Sequence, residues 1–161
     1  MNIRPAVMSD YDQLCALFDE VDALHRDTRP EIFRKPDGPI RSVEHVTKLV
    51  SGPNSTILVA EHDGRLVGLA VMTEQPVSSH PLHVPRRVVE IVTVVVRKAA
   101  RRQGIGKSLI AAALDWARQR GAQHVEISVH AFNQDALRAY MAAGFTLSVH
   151  RLMLRLDTPH T

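Results

Sequence analysis

One cysteine, Cys15, is all the chain carries in 161 residues, so no internal disulfide can form. It falls in an apolar helical pattern, where a buried thiol in a reducing compartment is the expected reading. Phe, Trp and Tyr together make up only 4% of the sequence against 45% hydrophobic residues, so the core must be built from Val, Leu, Ile and Ala. No apolar run approaches the roughly 20 residues of a membrane span. The opening "MNIRPAVMSD" has no signal-peptide core, so a cytoplasmic protein without a membrane partner is expected. Charge of one sign is also scarce: the formal net charge is +3, too weak and too scattered for a dedicated nucleic-acid surface. Nine histidines are present, yet no Cys or acid sits at ligand spacing around His80 and His83, and no metal site is expected. There is no internal repeat. The length suits one domain, read as residues 1–156 with a frayed tail at 157–161.

What is present is a clear alternation of element patterns. "NIRPA" reads as a short strand. Ser9 or Asp10 is placed to cap a helix through "YDQLCALFDEVDAL", where Leu14, Leu17, Phe18 and Val21 share a face. A polar stretch rich in Pro and Gly separates it from a second helix, "VEHVTKLVS". "STILVAEHDGRLVGLAVMTE" reads as a hairpin about Asp63-Gly64. The β-branched run "VVEIVTVVV" suits a strand covered on both faces. A helix through "KSLIAAALDWARQR", a strand "HVEISVH" and a helix "NQDALRAYMAA" follow, and "FTLSVHRLMLRL" predicts one or two closing strands. The order predicts an α+β, three-layer α/β/α domain. Its sheet is mixed and mostly antiparallel, with about seven strands, a central parallel pair and about four flanking helices.

The chemistry concentrates in "RKAARRQGIGKSL". Four cations lie between Arg97 and Gln103, a fifth is Lys107, and Gly104 and Gly106 stand where a strand turns into a helix. The first amides of a helix lack internal partners, and the helix dipole adds positive potential there. Phosphate oxygens satisfy both. The spacing fits neither the nucleotide P-loop nor the dinucleotide fingerprint. What stands is Arg101-x-x-Gly104-x-Gly106.

That pattern resembles the acetyl-CoA pyrophosphate loop, [QR]-x-x-G-x-[GA], of the GNAT superfamily of N-acetyltransferases. "NQDALRAYMAAGF" is similar to the family's N-x-x-A-x-x-x-Y-x-x-x-G-F block, with Asn133, Ala136, Tyr140, Gly144 and Phe145 at matching positions. The resemblance covers nearly the whole chain. It implies that the parallel strands splay and that the pantetheine arm of acetyl-CoA bonds to the backbone of Val94, Val95 and Val96. It also implies that the amides of Arg102, Gln103, Gly104, Ile105, Gly106 and Lys107 meet the pyrophosphate with help from Arg101, and that Asn133 touches the cofactor arm. Tyr140 matches the general acid. A phenol of pKa about 10 keeps its proton until a thiolate, of conjugate pKa about 8.5, leaves.

A lysine-like acceptor amine, about 99.9% protonated at pH 7, needs a base. Glu90, the one acid in its β-branched strand, is the candidate, on the face of Val92 and Val94 if no bulge intervenes. Glu61 and Glu126 are alternatives, and pairing with Arg86 or Arg87 is the competing role for Glu90. His25, Arg26, Asp27, Glu31 and Phe33 are candidate acceptor contacts, since that region shapes the pocket in GNAT folds. The expected activity is acetyl transfer from acetyl-CoA to a small-molecule or protein amine, without metal or nucleic acid. The family also implies homodimers as a common arrangement. The rival readings are a non-catalytic acyl-CoA-binding module on the same fold and nucleic-acid binding through the basic turn.

Overall fold

The computed structural model describes residues 1–38 and 40–157. β1 (Asn2–Pro5) leads through a single 3-10 turn at Met8–Asp10 into α1 (Tyr11–Thr28), and α2 (Val43–Ser51) follows a long irregular connection. Next come β2 (Ser55–His62), β3 (Arg65–Gln75), β4 (Val88–Val96), α3 (Ile105–Gln119), β5 (His124–Ile127) and α4 (Gln134–Ala142). The hairpin closes where expected: Asp63 and Gly64 both take positive φ, 48° and 73°, and His62 pairs with Arg65. Ser42 caps α2 by accepting the His45 N–H at 3.1 Å. Neither Ser9 nor Asp10 caps α1. The 3-10 turn gives Asp10 a helical backbone, so its carboxylate turns backward to the Val7 N–H at 2.9 Å and to Arg4 at 2.7 Å.

The strands lie in the order β1-β2-β3-β4-β5, antiparallel except for the parallel β4–β5 pair. Alternation along the strands divides the core into two layers. On one face Ile57, Val59, Leu69 and Val71 pack against Leu14, Leu17 and Phe18 of α1 and Val46 of α2. On the other, Leu58, Ala60, Ala70 and Met72 pack against Ile105, Leu109, Ala113 and Ala117 of α3. Helix α3 lies so close to β3 that a Cβ on Gly68 would stand 2.8 Å from the Val95 carbonyl oxygen and 2.9 Å from Leu109 Cδ1. Cys15 is half-buried rather than enclosed.

Two expectations are corrected. Among the described residues the sheet has five strands rather than about seven, and the parallel pair stands at its edge rather than its centre. The cause is the closing segment: residues 146–157 have strand-like alternation, but no described backbone hydrogen bond reaches them. A strand does not exist without a partner to satisfy its amides and carbonyls. Of the expected frayed tail, only Asp157 is described, with Oδ2 accepting from Arg155 Nη2 at 2.8 Å. Residues 158–161 lie outside the described residues. No described helix is long and apolar enough to cross a membrane.

Candidate active site

The parallel pairing of β4 and β5 stops at Ile91 and Ile127, while β4 continues to Val96. Among the described residues, the last five of β4 therefore have no strand on that edge. Within this stretch the β3–β4 register shifts: Met72 faces Ile91 and Val71 faces Thr93, so Val92 is an extra residue and half exposed. Val89 and Ile91 belong to the α3-side core, and Val94 and Val96 pack on that same side, while Val95 joins the α1-side core. The bulge has shifted the alternation by one. Glu90 consequently faces the α1 side, opposite to Val94, which corrects the shared face expected for an unbroken strand. With the side chains of residues 94–96 packed against the two cores, what β4 offers at its free edge is backbone.

The loop after β4 ends in a row of amides. Gly104 takes φ +80° as the residue before α3, and Arg102 takes φ +64°. No described residue accepts a hydrogen bond from the N–H groups of Arg102 through Lys107; the first helical bond runs from Ser108 N–H to the Gly104 carbonyl at 3.0 Å. Six consecutive donors thus stand at a helix start. A Cβ on Gly106 would meet only Val96 Cγ2 at 3.7 Å, an ordinary contact, so nothing within the fold demands glycine there. The cations divide by role. Arg97 turns inward, donating to the Leu66 carbonyl at 2.8 Å and to Glu20 at 3.3 Å. Arg101 donates through Nε to the Val96 carbonyl at 3.0 Å and thereby ties the loop to β4. The side chains of Arg102 and Lys107 have no partner among the described residues.

Helix α4 begins at Asn133, whose Oδ1 accepts the Ala136 N–H at 3.2 Å; capping occupies that oxygen and leaves its amide nitrogen for other contacts. Tyr140, two turns on, is 8% exposed and lies 6.0 Å from the Phe145 ring, which packs into the α3-side core. Burial pushes its hydroxyl up to about 12. No described residue hydrogen-bonds that hydroxyl, and it is not among fully enclosed polar atoms. Glu90 Oε2 accepts from Gln75 Nε2 at 2.8 Å. The competing ion pair is not made: Arg86 bonds Glu126 at 3.2 Å. Glu61 is held by Arg4 at 2.7 Å, so both alternative acids are engaged elsewhere.

On the α1 side a ring cluster joins three segments. His25 of α1 lies 5.1 Å from Phe33, 5.0 Å from His130 and 5.6 Å from Phe132. His130 stacks on Phe132 at 5.4 Å, and its carbonyl accepts the Asn133 N–H at 2.8 Å. His25 donates through Nδ1 to the Val21 carbonyl at 2.7 Å. Partial burial, His25 and Arg29 hold the His130 imidazole below its usual value. Of the residues expected at the acceptor pocket, His25 and Phe33 meet here; Arg26 and Asp27 do not, and Glu31 pairs with Arg29. Sequence reasoning missed His130 and Phe132. Their signal was two rings packed between a strand and the capping Asn133.

A mixed sheet with an interrupted parallel pair thus stands beside an amide-lined helix start. Residues 18–145 match the Acetyltransferase (GNAT) family, and the chain belongs to it. An aminoalkylphosphonate N-acetyltransferase of Salmonella typhimurium is 34% identical over 149 residues, covering 92% of this chain and 87% of that protein. An aminoglycoside N(6')-acetyltransferase type 1 of Klebsiella aerogenes is 30% identical, covering 69% of this chain and 75% of that one. A mycothiol acetyltransferase of Sanguibacter keddieii is 39% identical over 94 residues, but the match spans only 28% of that longer protein. Among solved structures, a tetramutant of a Bacillus halodurans protein superposes with TM-score 0.90 at 26% identity, covering 97% of this chain and all of that one. An aminoglycoside N-acetyltransferase solved with CoA shares the fold, with TM-score 0.71 at 16% identity over 98% of this chain and 100% of that one.

Proposed function

We propose that residues 1–156 act as one domain that moves an acetyl group from acetyl-CoA to a primary amine by direct attack in a ternary complex, in the cytoplasm. The observation that carries this reading is the row of unpartnered amides from Arg102 to Lys107. These amides receive the coenzyme's diphosphate, and Arg102 and Lys107 add charge-assisted bonds. The pantetheine arm runs along the free edge of β4 at Val94, Val95 and Val96, with the Asn133 amide nitrogen on its other side. Arg101 serves by holding the loop to Val96.

The amine enters from the α1 side, over the cluster of His25, Phe33, His130 and Phe132, and Glu90 on that face takes its proton. The backbone N–H near Val94 and Val95 polarises the thioester oxygen. Tyr140 acts on the leaving sulfur. With its hydroxyl at about 12, complete transfer to a solvated thiolate of conjugate pKa about 8.5 would run uphill by roughly 5 kcal/mol. The phenol therefore works first as a hydrogen-bond donor to sulfur while the C–S bond breaks. It releases its proton where the thiolate is desolvated beside it, which raises the thiol as well. A small-molecule acceptor is favoured over a protein one, in keeping with relatives that act on aminoglycosides and aminoalkylphosphonates.

Calorimetric titration with acetyl-CoA at modest ionic strength, followed by a thiol-release assay over a panel of amines, tests the proposal. Saturable uptake with amine-dependent release is expected. Absence of uptake by the folded protein removes the proposal, and uptake without turnover on any amine assigns the chain to non-catalytic acyl-CoA-binding modules.

A further inference from the structure

A cavity of about 820 Å³ opens where the β2–β3 turn, the start of α1 and the loop after β4 come together. That volume falls within the roughly 300–1,000 Å³ of small-molecule sites. Its position sets it apart from the coenzyme path. Arg65 and Val67 place it over β3, whereas the free edge of β4 faces the β5 side. The loop residues divide in the same way: Ala99, Ala100, Gln103 and Ile105 line this cavity, and Arg102, Gly104, Gly106 and Lys107 do not. The charged lining has one sign. His62, Arg65 and Arg97 stand around the cavity, and no Asp or Glu is among its described lining residues. His62 lies 3.4 Å from Asp63, and Arg97 uses Nε on the Leu66 carbonyl and Nη1 on Glu20. Arg97 Nη2 and the whole Arg65 guanidinium have no partner among the described residues. The floor is apolar, because Val67, Ala100 and Ile105 also belong to the α3-side core. Gln13 is fixed there by accepting the Leu66 N–H at 2.9 Å, which leaves its amide nitrogen to donate.

We propose that this cavity is a second binding site, separate from that of the coenzyme, for a small organic anion: a phosphate or carboxylate carried on a compact apolar body. Two guanidiniums without a lining carboxylate set up a positive potential that an anion offsets, through charge-assisted bonds to Arg65 and to Arg97 Nη2. A bare inorganic ion would leave most of the volume to water. The small apolar side chains of Val67, Ala99 and Ala100, with Ile105 beneath them, give a ring-sized body a surface to cover. The amides of Gln13 and Gln103 supply further donors. The ligand and the coenzyme thus share a loop but use different residues of it. That placement rests on the coenzyme reading given above; the anion chemistry of the cavity does not.

Calorimetric titration of the full chain, first saturated with CoA, tests it with two probes, 1-naphthyl phosphate and 1-naphthoate. Saturable uptake of one probe per chain is expected, with Kd below about 1 mM. The tighter probe identifies the anion as phosphate or carboxylate. Arg65→Glu should weaken that uptake at least about tenfold and leave CoA affinity within about twofold. Arg65 is exposed and lies outside the coenzyme path, so the variant should fold, which circular dichroism and the CoA titration check separately. Three results overturn the proposal: no uptake of either probe, uptake undiminished in Arg65→Glu, or displacement of bound probe by CoA. A chain that takes up no CoA refutes the proposed function instead. The same probes titrated into the free chain and the variant then still decide whether the cavity binds an anion through Arg65.

Discussion

Replacing Tyr140 by Phe removes one oxygen from a side chain that is 8% exposed. No described residue bonds that oxygen, so its loss orphans no buried partner. Stability should therefore stay within about 0.5 kcal/mol, a Tm change of no more than about 2 °C for a chain of this size. The rate should behave differently. A positioned acid contributes about 10²- to 10⁴-fold, or roughly 3–5 kcal/mol of barrier. The thiol-release assay should show kcat reduced at least about hundredfold with the acetyl-CoA KM little changed, because the hydroxyl acts as the sulfur departs rather than on binding. The hydroxyl near 12 also means that the wild-type enzyme shows no alkaline limb from this residue in any ordinary assay range. Undiminished turnover in the variant refutes the acid role. A large fall in Tm beside the lost rate refutes the premise that only chemistry was touched.

Gly68→Ala should lower stability by about 1–3 kcal/mol, or about 3–10 °C in Tm. The new Cβ meets the Val95 carbonyl oxygen of β4 at 2.8 Å and Leu109 Cδ1 of α3 at 2.9 Å, so both neighbours must give way, which thermal melting detects. Glu90→Gln should reduce the rate and move the pH optimum upward, where more amine is already neutral; an unchanged pH profile transfers the base role to another group. Asp10→Asn should cost about 2 kcal/mol at pH 7 in urea unfolding. Arg4 holds the Asp10 carboxyl below its usual value of 3.8. The stabilisation is therefore complete above that value and disappears as pH falls through the lower folded-state value. Variant and wild type should converge once the pH lies below that folded-state value, and a gap that persists in acid where the carboxyl is protonated contradicts the ion-pair account.

Features set by neighbouring residues are legible in the sequence. The Asp63-Gly64 turn, the β4 span and the glycine loop all depend on a few adjacent side chains and on main-chain geometry. What escapes depends on distant partners. The His25, Phe33, His130 and Phe132 cluster gathers residues about a hundred positions apart. The closing segment has the alternation of a strand, but alternation names a preference and not a neighbour. Glu90 stands out as an exception in an apolar run. The side it faces is not legible, because nothing in "EIVTVVV" marks Val92 as the extra residue.

That extra residue makes the length of β4 a matter of parity. Deleting Val92 would leave a strand of ordinary composition, but everything before the deletion would turn over. Val89 and Ile91 would point away from α3, and a carboxylate would be carried into the aliphatic layer beneath it. One half of the strand pairs with β5 and the other leaves its backbone edge open. A single residue too many is what allows both halves to be oriented correctly at once.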